Sequence, residues 1–175
     1  QAIEASGGIP KMVRTGHSFM KRELSERPDI MFAGEMSGHL FFNDRWNGHD
    51  CSLYNSARLM ELVARRVGST QGFENFSDLI SIVPSFPATG ENKIPYSGDR
   101  VETMMLVEKA FSDMECLKID GVRAVYPDGW FLCRPSNTEP VLILRAEAHT
   151  ESSLARLLSD VHSRLAGIVD VSELS

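Results

Sequence analysis

Between Gly34 and His39 the chain reads Gly-Glu-Met-Ser-Gly-His, which puts a carboxylate, a hydroxyl and an imidazole within five residues. A carboxylate accepts hydrogen bonds, a hydroxyl both gives and accepts them, and the flanking glycines let the backbone turn tightly and approach a ligand. That is the chemistry of a loop that holds a polyol. The same six residues also fit an ordinary turn in which Glu35 and Ser37 satisfy backbone groups.

A second dense stretch is Arg134-Pro135-Ser136-Asn137-Thr138-Glu139-Pro140. One guanidinium for a bidentate contact, two hydroxyls, an amide and a run of backbone N–H groups compose a pocket for a phosphate. The two prolines stiffen the loop, so less conformational freedom is lost when an anion binds. Arg145, on the strand that follows, adds a second positive charge. The alternative is a Ser/Asn-rich turn with Arg134 paired to Glu139. His39, Asp44, His49, Asp50 and Cys51 are metal-ligand types, but their spacings match no usual zinc pattern and they read as solvated loop residues. No metal ligands are assigned, and Ser18 beside His17 is too local to make a nucleophile pair.

Elements must position these loops. Apolar runs at 30–33 and 40–42 flank the first, giving strand, loop, strand. Residues 1–6 read as the last turns of a helix stopped by Gly7-Gly8, so its start and a preceding strand are expected upstream. Residues 12–13 make a short strand candidate, and 19–26 are helix-compatible up to Pro28. After a polar loop at 44–50, Asp50 or Ser52 can cap a helix running to Val67, with Leu53, Ala57, Met60, Ala64 and Val67 as a core-facing stripe and Gly68 as its stop. A further helical segment covers 73–80. Pro84, Pro87 and Gly90 then mark 81–91 as a linker with few contacts. Beyond it, 92–96 fits an edge strand that tolerates Pro95, and 99–114 a helix with Val101, Met104, Val107, Phe111 and Met114 inward. Strands are expected at 117–126, 129–134 and 141–148, and a final helix at 151–169 capped by Thr150. Two helices on one face of a small antiparallel sheet is the expected packing for this half.

With 175 residues and 42% hydrophobic content, the chain can bury one good core or two small ones. A net charge of -6 argues against nucleic-acid binding, which needs a concentrated basic surface. Three cysteines without metal-ligand spacing favour a reducing, cytoplasmic compartment. No apolar stretch approaches the roughly 18 residues of a membrane helix, and no secretory leader pattern opens the chain.

Taken together, the motifs resemble the C-terminal half of an α-D-phosphohexomutase of the phosphomannomutase/phosphoglucomutase group. Arg14-Thr15-Gly16-His17-Ser18, the 34–39 hexapeptide and the 134–140 loop occur in that family's order and approximate spacing. Asp120-Gly121-Val122-Arg123 and Tyr126-Pro127-Asp128-Gly129-Trp130 extend the match. The resemblance implies a mixed class, α/β and α+β. An incomplete mixed α/β domain (1–84, sugar recognition, first strand missing) precedes a TATA-binding-protein-like antiparallel sheet with two helices (85–175, phosphate binding).

The family converts hexose 6-phosphates to 1-phosphates through a hexose 1,6-bisphosphate. On that footing Glu35 and Ser37 hold the O3 and O4 hydroxyls, which approximately swap places when the sugar flips. His17 resembles a further substrate contact, and His39 is a candidate for proton transfer or a hydroxyl contact. Arg134, Ser136, Asn137, Thr138 and Arg145 hold the phosphate that is not reacting. The family's phosphorylated serine loop and Asp-rich magnesium loop are absent. Ser97-Gly98-Asp99-Arg100 is only superficially similar to the latter, and Asp99 reads better as a helix cap. Mg2+, the bisphosphate and the missing N-terminal domains are therefore implied for the complete enzyme, and this chain alone is expected to be inactive. A non-catalytic phosphosugar-binding module is the alternative. A missing strand would also leave a sheet edge open to pairing with a second copy.

Overall fold

The computed structural model describes residues 2–67, 73–172 and 174, and the chain divides into two compact units, Gln1–Pro84 and Ser85–Ser175. Gln1, the first residue of the predicted 1–6 helical segment, and Gly68, the predicted stop of the helix running to Val67, fall outside the described residues.

In the first unit a single turn, α1 (Ala2–Ala5), closes through Gly7 N–H to Glu4 O and Gly8 N–H to Ile3 O, the paired-glycine stop expected there. Residues 12–13 form no strand. Val13 instead packs its side chain against the small core of Met20, Leu24 and Phe41. Helix α2 (His17–Glu26) starts two residues earlier than predicted and supplies Met20 and Leu24. Strands β1 (Phe32–Gly34) and β2 (Leu40–Phe42) pair antiparallel with Ala33 opposite Phe41, and Phe41 is fully buried.

Helix α3 (Ser52–Arg66) departs from expectation twice. Its N-cap is Cys51, without a side-chain cap bond, so neither Asp50 nor Ser52 caps it. The apolar stripe is solvent-facing: Leu53 is 83% exposed and Met60 71%. Periodicity reports which residues share a face, but not whether anything in the chain covers it. The helix is anchored instead through its Tyr54, Arg58 and Glu61 side. Trp46 stacks on Tyr54 at 4.4 Å, Arg58 lies 4.4 Å from the Phe42 ring centroid and 2.7 Å from Asp44, and Arg45 bonds Glu61. Helix α4 (Phe76–Ser81) starts later than the pattern suggests because Asn75 and Asp78 form a capping box there.

The second unit is a five-stranded antiparallel sheet in the order β3-β7-β6-β5-β4, with helices α5 and α6 packed on it. Its strands are β3 (Asn92–Pro95), β4 (Cys116–Leu117), β5 (Val122–Tyr126), β6 (Gly129–Pro135) and β7 (Val141–Ala148). The run predicted as one strand at 117–126 is therefore two, because the chain reverses around Asp120-Gly121 and pairs Leu117 with Arg123. Helix α5 (Arg100–Ala110) is capped by Asp99, which accepts from Val101 N and Glu102 N. Its inward residues are Thr103 and Val107, followed by Phe111, whereas Val101 is exposed, contrary to the predicted stripe. Helix α6 (Glu151–Leu165) is capped by Thr150 and buries Leu154, Leu157, Val161 and Leu165.

The predicted linker is not free of contacts. Thr89 N–H donates to Ala146 O, Ala146 N–H to Thr89 Oγ1, and Ala148 N–H to Pro87 O, so 87–89 is laid along β7 beyond β3. Thr89 is buried.

Candidate functional site

The β1–β2 register delivers the chain into a tight turn, closed by Glu35 N–H to His39 O at 2.9 Å and Gly38 N–H to Glu35 O at 3.0 Å. Gly38 has φ +88, a conformation that a side chain would strain. Ser37 is left exposed at the tip. The Glu35 carboxylate accepts the Gly16 N–H at 2.6 Å through Oε1, so the 14–18 stretch is docked on the turn. His17, the first residue of α2, follows directly and is exposed. Glu35, Ser37, His39 and His17 are thus all carried by the 34–39 turn and the segment bonded to it. Glu35 Oε2 is the atom suited to accept a ligand hydroxyl.

His39 is held from a third element. Its Nδ1 lies 2.5 Å from Asp50 Oδ2, while Asn55 Nδ2 donates to Asp50 Oδ1 at 3.3 Å and to Leu40 O at 3.1 Å. The hydrogen bond to His39 holds the Asp50 carboxyl below its usual range.

In the second unit β6 runs on through Arg134 and Pro135, which pair with Ile143 and Leu142, so the connection to β7 is 136–140 rather than 134–140, and its form is set internally. Ser136 N–H donates to Val141 O, and Ser136 Oγ accepts from Thr138 N and Glu139 N at 3.3 and 3.2 Å. Glu139 is bound by Lys93, and Arg134 lies 3.9 Å from Glu91, so the alternative pairing of Arg134 with Glu139 is not formed. Asn137 and Thr138 are exposed on the loop.

Arg145 pairs in register with Leu132, one step diagonally from Arg134 across the β6–β7 ladder, where Arg134 faces Ile143. Its guanidinium lies 5.9 Å from the Trp130 ring centroid and 3.7 Å from Glu147, and its buried Nε has no hydrogen-bond partner. Arg123 covers the same indole at 4.5 Å, and burial lowers its guanidinium from the ordinary value. Arg123, Arg134 and Arg145 thus share one face of the sheet, which suits an anion.

Sequence reasoning missed Gly16, Asp50, Asn55 and Glu91 as partners of the site residues. Gly16 stands in a quoted motif and Asp50 is a cap candidate by sequence, but nothing in composition says what they bond. Three of the five residues considered for a metal are otherwise engaged: Asp44 pairs with Arg58, which holds its carboxyl below the usual range, and Asp50 pairs with His39. Among the described residues no group of three His, Cys, Asp or Glu could hold a metal ion.

Comparison with known proteins accounts for nearly the whole chain. Residues 1–84 match the family model described as phosphoglucomutase/phosphomannomutase, alpha/beta/alpha domain III, and residues 95–163 match that of the C-terminal domain of the same family. A phosphomannomutase/phosphoglucomutase of Pseudomonas syringae pv. tomato is 39% identical over 93% of the chain and 34% of its own length. A phosphoglucomutase of Neisseria meningitidis serogroup A is 37% identical over 89% of the chain and 33% of its own length. A crystal structure of a phosphoglucomutase/phosphomannomutase family protein from Burkholderia thailandensis superposes with TM-score 0.82 at 38% identity, covering 95% of this chain and 34% of that one. The chain spans about a third of the length of the curated relatives it matches.

Proposed function

The chain belongs to the phosphoglucomutase/phosphomannomutase family, and on that premise we propose that it is the substrate-recognition part of a phosphohexomutase that interconverts hexose 6-phosphate and hexose 1-phosphate. Residues 1–84 read the sugar and residues 85–175 hold its phosphate. Glu35 and Ser37 take the pyranose O3 and O4 hydroxyls, with His17 and His39 alongside. Arg134, Ser136, Asn137 and Thr138, with Arg145, bind the phosphate that is not reacting. Binding energy from that remote phosphate orients the end that reacts.

The observation that carries this reading is the bond from Gly16 N–H to Glu35, which holds an exposed hydroxyl-reading turn and the 14–18 stretch together in one geometry. The internally bonded Ser136 loop beside Arg134 supports the phosphate role, because its hydroxyl and amides are already gathered at one place.

The residues here do not fit the Mg2+ that the family reaction uses. Asp99, the nearest in type to a metal-loop aspartate, spends its carboxylate on the cap of α5. The cation, the phosphoryl donor and the bisphosphate chemistry belong to further domains of the enzyme, which are this chain's partners together with the phosphohexose. Its free cysteines fit the reducing cytoplasm, and no helix among the described residues is long and apolar enough to cross a membrane.

Titration of the labelled chain with glucose 1-phosphate, followed by amide NMR, tests the reading. Shifts are expected at 34–39 and at 134–138, with Arg134→Ala abolishing the second set. Absence of shifts at both loops overturns it. A coupled mutase assay of the chain alone is expected to show no turnover, and measurable turnover would contradict the division of labour.

A further inference from the structure

Asp50 stands where a helix cap is expected, and it is not used as one. The N-cap of α3 is Cys51, and no side chain caps that end. A capping Asp stabilises a helix, and here the carboxylate is directed instead to His39 Nδ1 at 2.5 Å. Its second oxygen accepts from Asn55 Nδ2, and the same amide donates to Leu40 O, the residue immediately after His39. Asn55, in the first turn of α3, therefore clamps β2 and Asp50 together. It does so with its own Oδ1 buried and without a hydrogen-bond partner, an arrangement that costs stability. Two local sacrifices, an uncapped helix and an unsatisfied amide oxygen, converge on the orientation of one imidazole.

An ionised carboxylate only accepts, so the proton in the His39–Asp50 contact resides on Nδ1. In the neutral ring Nε2 then carries the lone pair. We propose that Asp50, held by Asn55, is a positioning residue that fixes His39 as the Nδ1–H tautomer and presents a bare Nε2 to a sugar hydroxyl. The functional part of this proposal rests on the reading of the 34–39 turn as the sugar loop. Nε2 accepts the hydroxyl hydrogen bond. If the proton is transferred, the O–H bond breaks, an Nε2–H bond forms, the electron pair stays on the oxygen, and the imidazolium is left paired with the Asp50 carboxylate. His39 touches the substrate, whereas Asp50 and Asn55 act through it.

Long-range 1H–15N spectra of the imidazole rings in the labelled chain, recorded at about pH 8, where an ordinary imidazole is neutral, read the tautomer without any ligand. The wild-type His39 is expected to give the Nδ1–H pattern. Asp50→Ala and the nearly isosteric Asp50→Asn are expected to move it toward Nε2–H, with amide shifts of α3 confirming that the fold persists. A wild-type ring in the Nε2–H form overturns the proposal, as does a folded Asp50 variant that keeps Nδ1–H. In the glucose 1-phosphate titration, Asp50→Ala is expected to weaken binding roughly three- to tenfold, the value of one hydrogen bond, while the shifts at 136–138 persist. Unchanged affinity removes the positioning role. If the wild-type tautomer is Nδ1–H but glucose 1-phosphate leaves 35–39 unperturbed, the tautomer assignment stands and the sugar-loop reading fails.

Discussion

Glu35 owes its orientation to a residue without a side chain. Gly16 donates its N–H to the carboxylate from a backbone with φ +131, and a Cβ there would be strained and would lie 3.3 Å from the Phe19 ring. Gly16→Ala is expected to destabilise the first unit by about 1–2 kcal/mol and to broaden the 34–39 amide signals, which urea titration and NMR would measure. Glu35→Gln keeps the acceptor oxygen and is expected to leave the amide spectrum intact while weakening glucose 1-phosphate. In the second unit Cys133 is fully buried, and burial pushes its thiol up to about 12. The raised value means that the folded state keeps its proton where the unfolded thiol, near 9.0, has lost it. This contribution is complete below pH 9 and declines by about 1.4 kcal/mol per pH unit above it. Urea midpoints between pH 8 and 11 should fall less steeply in Cys133→Ala than in the wild type, whatever the offset caused by the smaller side chain.

Single elements show where pattern suffices and where it does not. In Thr89→Val the side chain keeps its shape but the Ala146 N–H loses its hydroxyl acceptor. A loss of about 1–3 kcal/mol is expected, the penalty of an unsatisfied buried donor, and chemical denaturation would detect it. Strand β7 was legible to the residue because an apolar run at 141–148 is bounded by Pro140 and by the Thr150 cap. The two chemical loops were legible as turns for the same reason, each lying between strong strands. The docked segment at 87–89 was not, because Pro and Gly composition speaks of loops while the docking uses the Pro87 carbonyl and one hydroxyl. Likewise the stripe on α3 was read correctly as one face and wrongly as a buried one. The link between His39 and Asp50 spans eleven residues and depends on how α3 approaches the hairpin, which spacing does not encode.

Across the whole molecule the two units differ in what holds them. The first has a core of Met20, Leu24 and Phe41, whereas the second has a continuous core running from Ile94 to Leu174, with Phe111 stacked on Phe131 at 5.4 Å. Urea should therefore unfold the chain in two steps, the amides around Phe41 melting before those around Phe131, and coincident melting would count against this division. Leu53→Glu and Met60→Glu, on the exposed face of α3, are expected to change the stability read from the first transition by no more than about 0.5 kcal/mol. The docked 87–89 segment also has a consequence in time. Thr89 is bonded to Ala146 across 57 residues, while β5, β6 and β7 pair through short turns. Nearby pairings close first, since a long loop carries the larger entropy penalty. During synthesis residues 87–95 therefore leave the ribosome well before β7 exists, and wait. Pro95, which cannot donate to a ladder, limits what this waiting strand can pair with in the meantime. The loop of Ser136 is shaped within its own hairpin before that earlier-made segment closes beside it.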